Sequence, residues 1–394
     1  MGFKDVLMRA EAARSRKEAP APAASCRWAT AAGGCCQIEC THPKGEGTRH
    51  HKSHCCPEKC SLYEPPPDEG ANNPAAFSGT GVVIMPVRNE GDWPMKTIES
   101  FRASKAPGTD LRFVVIDEAN KGSSVQDLGR EPDVIYLSSL TEPTGQGIAR
   151  SRAVFATRGL KPRAYLSIDA HMDMRTQFGA ERLWLSAEQT GGLVQARSGV
   201  IAKQTDLRWK GCKWAVQHKP ALVRPDTTHD FDLTGGPLKP IDIMAGACYA
   251  FTPATFDMLG GFAECFGYYG WYERDLAVNC RFQGIPQHCD NRVMCWHHYR
   301  KVRPYPMGGV WRVRGYVQSF RKMFRPDIWE RVWLPWALAV QTKHHDPIID
   351  YLIHAPWILD LNAAFEGRKV VTDEEVLDWM GVDLGRLPPT ERAP

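Results

Sequence analysis

Residues 81–87 of the chain read Gly-Val-Val-Ile-Met-Pro-Val, an apolar run that ends in the polar turn Arg-Asn-Glu-Gly at 88–91. A stretch with helical spacing follows at 94–103. Similar apolar runs occur at 112–120, 133–139 and 164–174, with a further helical stretch at 147–158. Short apolar strands that alternate with helices are typical of a parallel sheet buried on both faces. This part of the chain is therefore predicted to have an α/β fold.

The composition is that of an ordinary globular protein. The 394 residues are 43% hydrophobic and 24% charged, and their net charge of +4 is too small to indicate a partner. No apolar run approaches the roughly 20 residues that a membrane-spanning helix needs, and the first residues lack the apolar core of a signal peptide. We therefore predict a cytoplasmic protein that does not enter a membrane, with its thirteen cysteines mostly reduced or metal-bound.

Shifts in composition divide the chain into five parts. The predicted parts are an N-terminal helix and tether at 1–25, a Cys/His-rich domain at 26–62, a Pro/Gly/Asn-rich linker at 63–80, the α/β domain at 81–325 and a Trp-rich helical extension at 326–394. The extension is expected to pack on the main domain or to contact a partner.

The Cys/His-rich domain repeats one cysteine spacing. Cys35-Cys36 is followed by Cys40, and Cys55-Cys56 by Cys60, twenty residues further on. A segment this short has almost no apolar core, so a metal or disulfides must hold it together. Structural zinc is favoured because no signal peptide is visible, with disulfides or a disordered or redox-active tail as alternatives. The candidate zinc ligands are Cys26, Cys35, Cys36, Cys40, Cys55, Cys56 and Cys60, with His42, His50, His51 and His54 lying among them.

The sharpest local motif is Ile168-Asp169-Ala170-His171, just past an apolar run. A carboxylate and an imidazole two residues apart can hold one divalent cation, and this ligand pair suits manganese better than calcium. The carboxyl edge of an open α/β sheet is also where ligands bind. The alternative is a strand-end aspartate that caps a turn beside an unrelated histidine.

A second motif starts at Cys295 and contains the pair His297-His298, followed by Arg300 and Lys301. Residues 296–326 carry eight Lys/Arg, seven aromatic residues and no acid. Such a stretch could neutralise a diphosphate or follow a nucleic-acid backbone. The alternative is a solvated basic face whose aromatic residues turn toward the core.

A third motif covers 244–251, where Ala245 and Gly246 allow close backbone approach to a ligand. Two acids, Glu273 and Asp275, follow at the start of an amphipathic helix. Either acid could be catalytic, or could merely be a favourable charge at a helix start.

Taken in order, these motifs resemble the GT-A glycosyltransferases, most closely the catalytic domain of polypeptide N-acetylgalactosaminyltransferases. The resemblance covers about residues 80–310 and involves six segments. They are GVVIMPVRNEGDWPMKTIESF at 81–101, VVIDEAN at 114–120, PTGQGIARSRAVFA at 143–156, SIDAHMD at 167–173, IDIMAGACYAFTPATFDMLGGF at 241–262 and VMCWHHYRKVRPYPMGG at 293–309.

The resemblance implies a Rossmann-like GT-A domain that binds a nucleotide-diphospho-sugar. The N-terminal zinc-binding-type domain before it is predicted from the cysteine pattern alone. It implies Mn²⁺ or Mg²⁺ held by Asp169, His171 and His297, with His298 as the alternative third ligand. The implied contacts to a UDP-sugar are Pro86, Arg88, Glu90, Asp117, Glu118, Arg150, Asp169, Ala245, Gly246, Arg300, Arg303 and Tyr305. The candidate catalytic residues are Arg300, which the resemblance implies, and the two acids Glu273 and Asp275 of the third motif.

Two departures limit what the resemblance implies. The family's Trp-Gly-Gly-Glu-Asn segment reads Tyr-Gly-Trp-Tyr-Glu-Arg-Asp at 269–275, and Arg303 stands where the family often has histidine. In the family, this segment contacts the acceptor and positions the sugar. The resemblance therefore implies neither the identity of the acceptor nor that of the sugar. The anomeric configuration could be retained, or inverted with Asp275 as the base. The sequence also shows neither the membrane anchor nor the lectin domain of the Golgi members, so a secreted mucin-type role is not expected.

The predicted function is a metal-dependent glycosyltransferase that moves a sugar from a UDP-sugar to a hydroxyl group. The hypothesised acceptor is a hydroxylated base in DNA, as in virus-encoded DNA modification in the host cytoplasm. A protein or glycan acceptor is the alternative within the enzyme class. A nucleic-acid-binding protein with a degenerate transferase domain is the alternative outside it.

Overall fold

The structure, a computed structural model, describes residues 29–31, 37–40, 48–51, 77–118, 120, 124–138, 145–201, 211–219, 222–230, 236–262, 272–299 and 309–387. The chain forms two compact units, Met1–Pro67 with Leu233–Pro237, and Asp68–Asp232 with Leu238–Pro394. The domain boundaries proposed from composition stay predictions.

The first unit contains a three-stranded antiparallel sheet made of β1 (Ala29–Ala31), β2 (Gln37–Cys40) and β3 (Thr48–His51). Six of the candidate zinc-binding cysteines lie outside the described residues, and only the backbone of Cys40 is described. Zinc in this unit therefore stays a prediction.

The second unit is built on a large sheet and two small hairpin-like pairs. Its strands are β4 (Gly79–Val87), β5 (Thr109–Asp117), β6 (Val134–Ser138), β7 (Ala164–Ile168), β8 (Met172–Met174), β9 (Leu193–Val200), β10 (Gly211–Trp214), β11 (Gln217–Lys219), β12 (Leu222–Arg224), β13 (Thr227–Asp230), β14 (Leu238–Pro240), β15 (Cys248–Phe251) and β16 (Gln287–His297).

Helices cover the sheet and form the C-terminal part of the unit. They are α1 (Trp93–Ser104), α2 (Ser124–Asp127), α3 (Gln146–Thr157), α4 (Gly179–Thr190), α5 (Pro253–Leu259), α6 (Tyr272–Phe282), α7 (Gly309–Met323), α8 (Pro326–Ile328), α9 (Leu334–His344), α10 (Pro347–His354), α11 (Trp357–Glu366) and α12 (Asp373–Trp379), with short 3-10 turns at Leu128–Arg130, Arg158–Leu160 and Leu384–Arg386 and a π-helical turn at Trp329–Trp333. Among these described helices, none combines the length and the apolar character needed to cross a bilayer.

The large sheet has nine strands in the order β14-β16-β9-β15-β7-β4-β5-β6, and β8 pairs with β16. Strands β7, β4, β5 and β6 run parallel, as the alternating pattern predicts, and Val82–Met85 in β4 is fully buried. Beyond β7 the sheet is mixed, because β15 runs antiparallel to both β7 and β9. A parallel pairing would need a crossover back to the starting edge. Among the described residues between β9 and β15 there are short two-stranded pairs and no α-helix.

The C-terminal helices share a separate apolar core. Buried side chains of α7 to α12 pack together with Val278 and Phe282 of α6, so this region is attached to the helix that follows the altered acceptor segment. The large aromatic residues at its centre include Phe320, Phe324 and Trp333, all fully buried. Tyr316 and Phe320 of α7 therefore face a core, as the structural alternative for this stretch predicts.

Half of the basic residues in the 296–326 stretch are engaged inside the protein. Arg321 donates to two backbone carbonyls in α10 and its C-cap, at 2.7 and 2.8 Å. Lys322 lies 3.6 Å from Asp275. The other two engaged cations are Arg314, which pairs with Asp346, and Arg325, which pairs with Asp327 and Glu374. A continuous cationic track for nucleic acid is therefore not available along α7.

The Arg314–Asp346 pair gives a pH-dependent stability prediction. Burial alone would raise the pKa of Asp346, but the guanidinium of Arg314 at 2.6 Å and the backbone N–H groups of Ile348 and Ile349 lower it below its ordinary value. The folded pKa is lowered, so the stabilisation is complete above the unfolded pKa of about 4 and is lost as the pH falls through the folded pKa.

We expect Asp346→Ala to lower the free energy of unfolding by about 1–3 kcal/mol at pH 7, because it removes a helix N-cap and an ion pair. The measurement is urea unfolding at pH 7 and again near pH 3. The difference from the unmodified protein should shrink at the lower pH. Asp350→Ala, which alters an exposed carboxylate of the same helix, is the control. A difference that does not depend on pH would contradict the interpretation.

Candidate functional site

Strand pairing brings three candidate ligands together at the carboxyl edge of the sheet. Asp169 is the first residue after β7, and its N–H donates to the carbonyl of Ala247 at 2.9 Å. His171 precedes β8, which pairs with the end of β16 so that Met172 lies opposite His297. The antiparallel β8–β16 pairing therefore delivers His297 to the Asp-x-His turn from a distant part of the sequence.

The structure also distinguishes between the two adjacent histidines. The ring of His298 stacks on Trp93, with ring centroids 4.4 Å apart. The backbone N–H of His298 donates to the backbone carbonyl of His171 at 3.0 Å. The ring of His297 instead lies beside the ring of His171, with centroids 4.6 Å apart. His297 is thus the member of the pair that joins the ligand cluster.

Helix α1 fixes the turn that carries the first two ligands. The hydroxyl of Thr97 lies 3.1 Å from the carbonyl of Ala170 and 2.9 Å from that of Met172, and it accepts a hydrogen bond from the N–H of Met172 at 3.0 Å. The side chain of Thr97 is fully buried. This one hydroxyl therefore forms hydrogen bonds with backbone groups on both sides of His171 and restrains the turn that carries it.

The donor atoms converge in a way that suits a divalent cation. Nε2 of His171 lies 3.1 Å from Nε2 of His297, which lies 3.3 Å from a carboxylate oxygen of Asp169. Nδ1 of His171 faces a carboxylate oxygen of Glu90 at 3.1 Å, so Nδ1 carries the proton and Nε2 presents a lone pair to the cluster. Two imidazole nitrogens and a carboxylate oxygen, all within 4.8 Å of one another, form a ligand set that fits Mn²⁺.

Arg150 sets the charge balance of the cluster. Its guanidinium is 1% exposed, lies 3.8 Å from Asp169 and donates to the side chains of Ser167 and Gln146. Burial would raise the pKa of Asp169, but the hydrogen bond with His297 and the nearby side chains of His171, His297 and Arg150 together outweigh it and lower the pKa. The carboxylate is therefore ionised at neutral pH, the form that binds a cation.

Glu90 supports the cluster from behind His171. Its side chain is buried, and the geometry places it against the imidazole nitrogen that points away from the candidate cation position. A carboxylate that accepts the outer N–H of a ligand histidine fixes the ring orientation and raises the basicity of the ligand nitrogen. The resemblance implied a donor contact for Glu90, and that role stays a prediction.

We expect Glu90→Gln to weaken Mn²⁺ binding by about 10–100-fold, because an amide can no longer fix the tautomer of His171. The measurement is isothermal titration with Mn²⁺. Glu99→Gln, at an exposed position on α1, is the matched control and should bind Mn²⁺ normally. Unchanged Mn²⁺ affinity in Glu90→Gln would contradict this role.

The loop before β15 leaves room for a second acid. Gly246 has a φ of +77°, and a Cβ atom there would lie 2.3 Å from a carboxylate oxygen of Glu273. Glycine is therefore required both by the backbone and by the close approach of this carboxylate. Burial raises the pKa of Glu273; Arg274 opposes this rise and the negative charge of Asp169 adds to it. Glu273 thus stands near the ligand cluster as an acid that holds its proton more tightly than usual.

Asp275 has a different environment from Glu273. It is 2% exposed, accepts a hydrogen bond from Ser319 and lies 3.6 Å from Lys322, both on α7. These contacts join α6 to α7. A catalytic role for Asp275 stays a prediction.

The predicted nucleotide contacts cluster at the ends of β4 and β5. Asp117 accepts hydrogen bonds from Asn120 and, at 2.7 Å, from the hydroxyl of Tyr136. Glu118 accepts from the N–H of Gly145 at 3.0 Å, just before α3. Pro86 and Arg88, both partly buried, lie at the end of β4 and directly after it. These positions share one edge with Asp169.

Some predicted residues have other partners or cannot be placed. The N–H of Ala245 donates to the side chain of Gln195 at 2.6 Å. The predicted phosphate contacts Arg300, Arg303 and Tyr305 lie outside the described residues. Sequence reasoning missed Thr97 and Gln195, because a single threonine or glutamine carries no local signal of the loop it will hold.

The chain is similar in fold to solved structures with which it shares little sequence identity. No protein-family model and no curated protein matches the chain. A crystal structure of GalNAc-T7 with UDP, GalNAc and Mn²⁺ is 14% identical, covers 79% of this chain and 59% of its own, and has a TM-score of 0.56. The mannosyltransferase PcManGT from Pyrobaculum calidifontis, in complex with GDP-Man and Mn²⁺, is 20% identical over 75% of this chain and 76% of its own, with a TM-score of 0.42. S. aureus TarS 1–349 is 11% identical over 77% of this chain and 78% of its own, with a TM-score of 0.41.

The likeness to GalNAc-T7 is the one that carries an argument about the fold. It extends over most of this chain, whereas this chain spans about 59% of the length of that structure. The order of the sheet, with the Asp-x-His turn at its carboxyl edge, is the framework on which the sequence motifs fall. The chain therefore has the fold of the GT-A glycosyltransferases, which confirms the fold that the sequence resemblance implied.

Proposed function

We propose that this protein is a metal-dependent glycosyltransferase that moves a sugar from a nucleoside diphosphate to an acceptor hydroxyl group. One observation carries the proposal. Asp169, His171 and His297 converge at the carboxyl edge of a GT-A sheet, and the lone pair of His171 is directed into the cluster by Glu90. The edge of such a sheet is where nucleotides bind.

A divalent cation held by these three side chains would offset the negative charge that develops on the leaving diphosphate. The protein supplies the fixed geometry for this task. Thr97 restrains the Asp-x-His turn, and Arg150 keeps a buried positive charge beside Asp169. Such preorganised groups stabilise a transition state without having to reorient during the reaction. The donor is proposed to be a UDP-sugar.

Glu273 is proposed to act on the acceptor side. Its carboxylate lies against the Gly246 loop, and its pKa is raised by burial. A raised pKa makes a carboxylate a stronger base toward an acceptor hydroxyl proton. Glu273 can therefore orient that hydroxyl group and accept its proton, while Arg274 limits the rise of the pKa.

The experiment that tests the proposal is a screen of nucleotide sugars for protection against thermal unfolding, with and without Mn²⁺. A ligand at about 100 times its Kd should stabilise the folded state by about 2.7 kcal/mol. Protection by one UDP-sugar that requires Mn²⁺, followed by slow Mn²⁺-dependent hydrolysis of that donor, is the expected result. If no nucleotide sugar protects the protein and none is hydrolysed, the proposal is overturned and a non-catalytic binding protein is favoured.

The acceptor is proposed to be anionic, and a hydroxylated base in DNA is the specific hypothesis. Its support is the composition of residues 296–326, which carry eight Lys/Arg and no acid. The internal pairing of the four cations described above narrows the surface that could contact DNA. Binding to DNA that does not weaken steeply between 50 and 200 mM salt would count against a phosphate-backbone contact. Transfer to a protein or glycan in the absence of transfer to DNA would replace the hypothesis.

A further inference from the structure

A groove separate from the ligand cluster opens on the second unit. It lies between the β11–β12 hairpin, α7 and α9, and its volume is about 770 Å³. This is within the range of about 300–1,000 Å³ that is usual for small-molecule sites. Its floor is apolar, and the side chains that form it are Leu222, Val310, Val313, Tyr316, Trp336 and Val340.

The two helices present one face each to the groove. Trp336, Val340 and Lys343 lie at helical spacing on α9, so the same face that supplies the floor also supplies a cation at the rim. On α7, Val310, Val313 and Tyr316 follow one another at a spacing of three residues, and Arg312 also lines the groove beside them. The floor and the rim are therefore parts of one surface.

The rim is strongly basic. Five exposed cationic or titratable basic side chains surround the apolar floor, namely Lys219, Arg224, Arg312, Lys343 and His344. Within the described part of the chain, none of the five forms an ion pair with a carboxylate. By contrast, Arg314 on the same helix α7 is paired with Asp346.

Among the described residues that line the groove, Asp226 is the one acid, and it already accepts hydrogen bonds within the protein. It accepts a hydrogen bond from the side chain of Gln217 at 3.1 Å and another from the N–H of Thr227 at 2.8 Å. The groove therefore combines an excess of positive charge with an apolar interior, and the protein does not neutralise this charge with described carboxylates.

We propose that this groove binds an organic anion with an aliphatic body, of the alkyl phosphate or alkyl carboxylate class. The anionic group would lie among Arg312, Lys343 and their neighbours, and the alkyl chain on the floor. Charged hydrogen bonds at the rim and apolar contact on the floor favour the same ligand. Base stacking is a poorer match, because Tyr316 and Trp336 are only 7% and 5% exposed and offer little ring surface.

The test is isothermal titration of the full-length protein with octyl phosphate below its micellar concentration. Saturable one-to-one binding is expected. Inorganic phosphate has the anionic group without the alkyl chain, and octanol has the alkyl chain without the anionic group. Each should therefore bind at least about tenfold more weakly than octyl phosphate. Equal binding of octanol would overturn the role of the cations, and equal binding of inorganic phosphate would overturn the role of the floor.

Two variants address the two halves of the groove. The charge reversal Arg312→Glu with Lys343→Glu should weaken octyl phosphate binding by about tenfold or more, and Val340→Trp should fill the floor and have a similar effect. Lys161→Glu changes an exposed lysine that precedes β7 and does not line the groove, and this variant should bind octyl phosphate normally. Equal affinity in all variants, at unchanged melting temperature, would overturn the proposal.

This site does not depend on the proposed glycosyltransferase activity. Protection by Mn²⁺ with UDP should be the same in the groove variants as in the unmodified protein, so failure at one site can be told from failure at the other. A single-stranded oligothymidylate is the competing ligand. If it binds through Arg312 and Lys343 while octyl phosphate does not, the groove is a nucleic-acid contact and the proposal is overturned.

Discussion

Replacing Asp169 by asparagine is expected to remove Mn²⁺-dependent sugar transfer or donor hydrolysis almost completely. The loss in kcat/KM should be about 10³-fold, or about 4 kcal/mol, because the change removes the one negative ligand from a site that must offset diphosphate charge. Asparagine keeps the shape of the side chain but presents a neutral oxygen to the cation. The measurements are steady-state donor hydrolysis and Mn²⁺ titration, made on the same preparation.

The control for this variant is Asp257→Asn. Asp257 lies on helix α5, and its exposed carboxylate pairs with Arg158. It should hydrolyse the donor normally. Thermal unfolding must accompany both assays, because Asp169→Asn also takes a partner away from the buried Arg150. Full Mn²⁺ affinity in a folded Asp169→Asn protein would show that the cation does not bind at this cluster.

Glu273→Gln is expected to have the second largest effect, a fall in kcat of roughly 10²-fold or more with little change in the KM for the donor. The amide can no longer accept a proton from the acceptor hydroxyl, which removes a general base. It keeps the size that the Gly246 loop accommodates. The measurement is transfer to the acceptor under saturating donor, beside nucleotide-sugar protection in thermal unfolding, which should be retained.

Asp275→Asn gives the contrast for Glu273→Gln. Since Asp275 contacts Ser319 and Lys322, its replacement should lower the melting temperature and leave kcat of the folded fraction close to normal. Glu330→Gln, at an exposed position, controls for the chemical change alone. The opposite pattern, with kcat lost in Asp275→Asn and kept in Glu273→Gln, would assign the base to Asp275.

Much of the fold follows from local sequence. Strand β4 is an unbroken β-branched and apolar run, and burial on both faces explains why no polar residue interrupts Val82–Met85. The Asp-x-His turn could be predicted because both ligands lie within one local segment, at a strand end. Predicting His297 as the third ligand required the order of the motifs along the chain, because the neighbouring His298 offers the same chemistry. Only the β8–β16 register distinguishes the two histidines.

Other features depend on distant contacts that a sequence pattern does not encode. The composition of the basic stretch favours contact with phosphates. In the structure, however, Arg314 pairs with Asp346, and Arg321 donates to the backbone carbonyls of Leu352 and Ala355. Each pairing forms only when the C-terminal helices pack on α7. Likewise, the antiparallel direction of β15 depends on how the chain returns to the sheet rather than on the residues Cys248–Phe251.

The position of His297 at the very end of β16 has a consequence for the dynamics of the sheet. In the sheet order β9 and β15 stand between β16 and β7, so a cation shared by His297 and Asp169 would cross-link two strand ends that are 128 residues apart along the chain. Such a cross-link restricts fraying of the short β8–β16 pairing. Amide hydrogen exchange at 295–298 should therefore slow on addition of Mn²⁺, whereas exchange in β5 and β6 should stay the same.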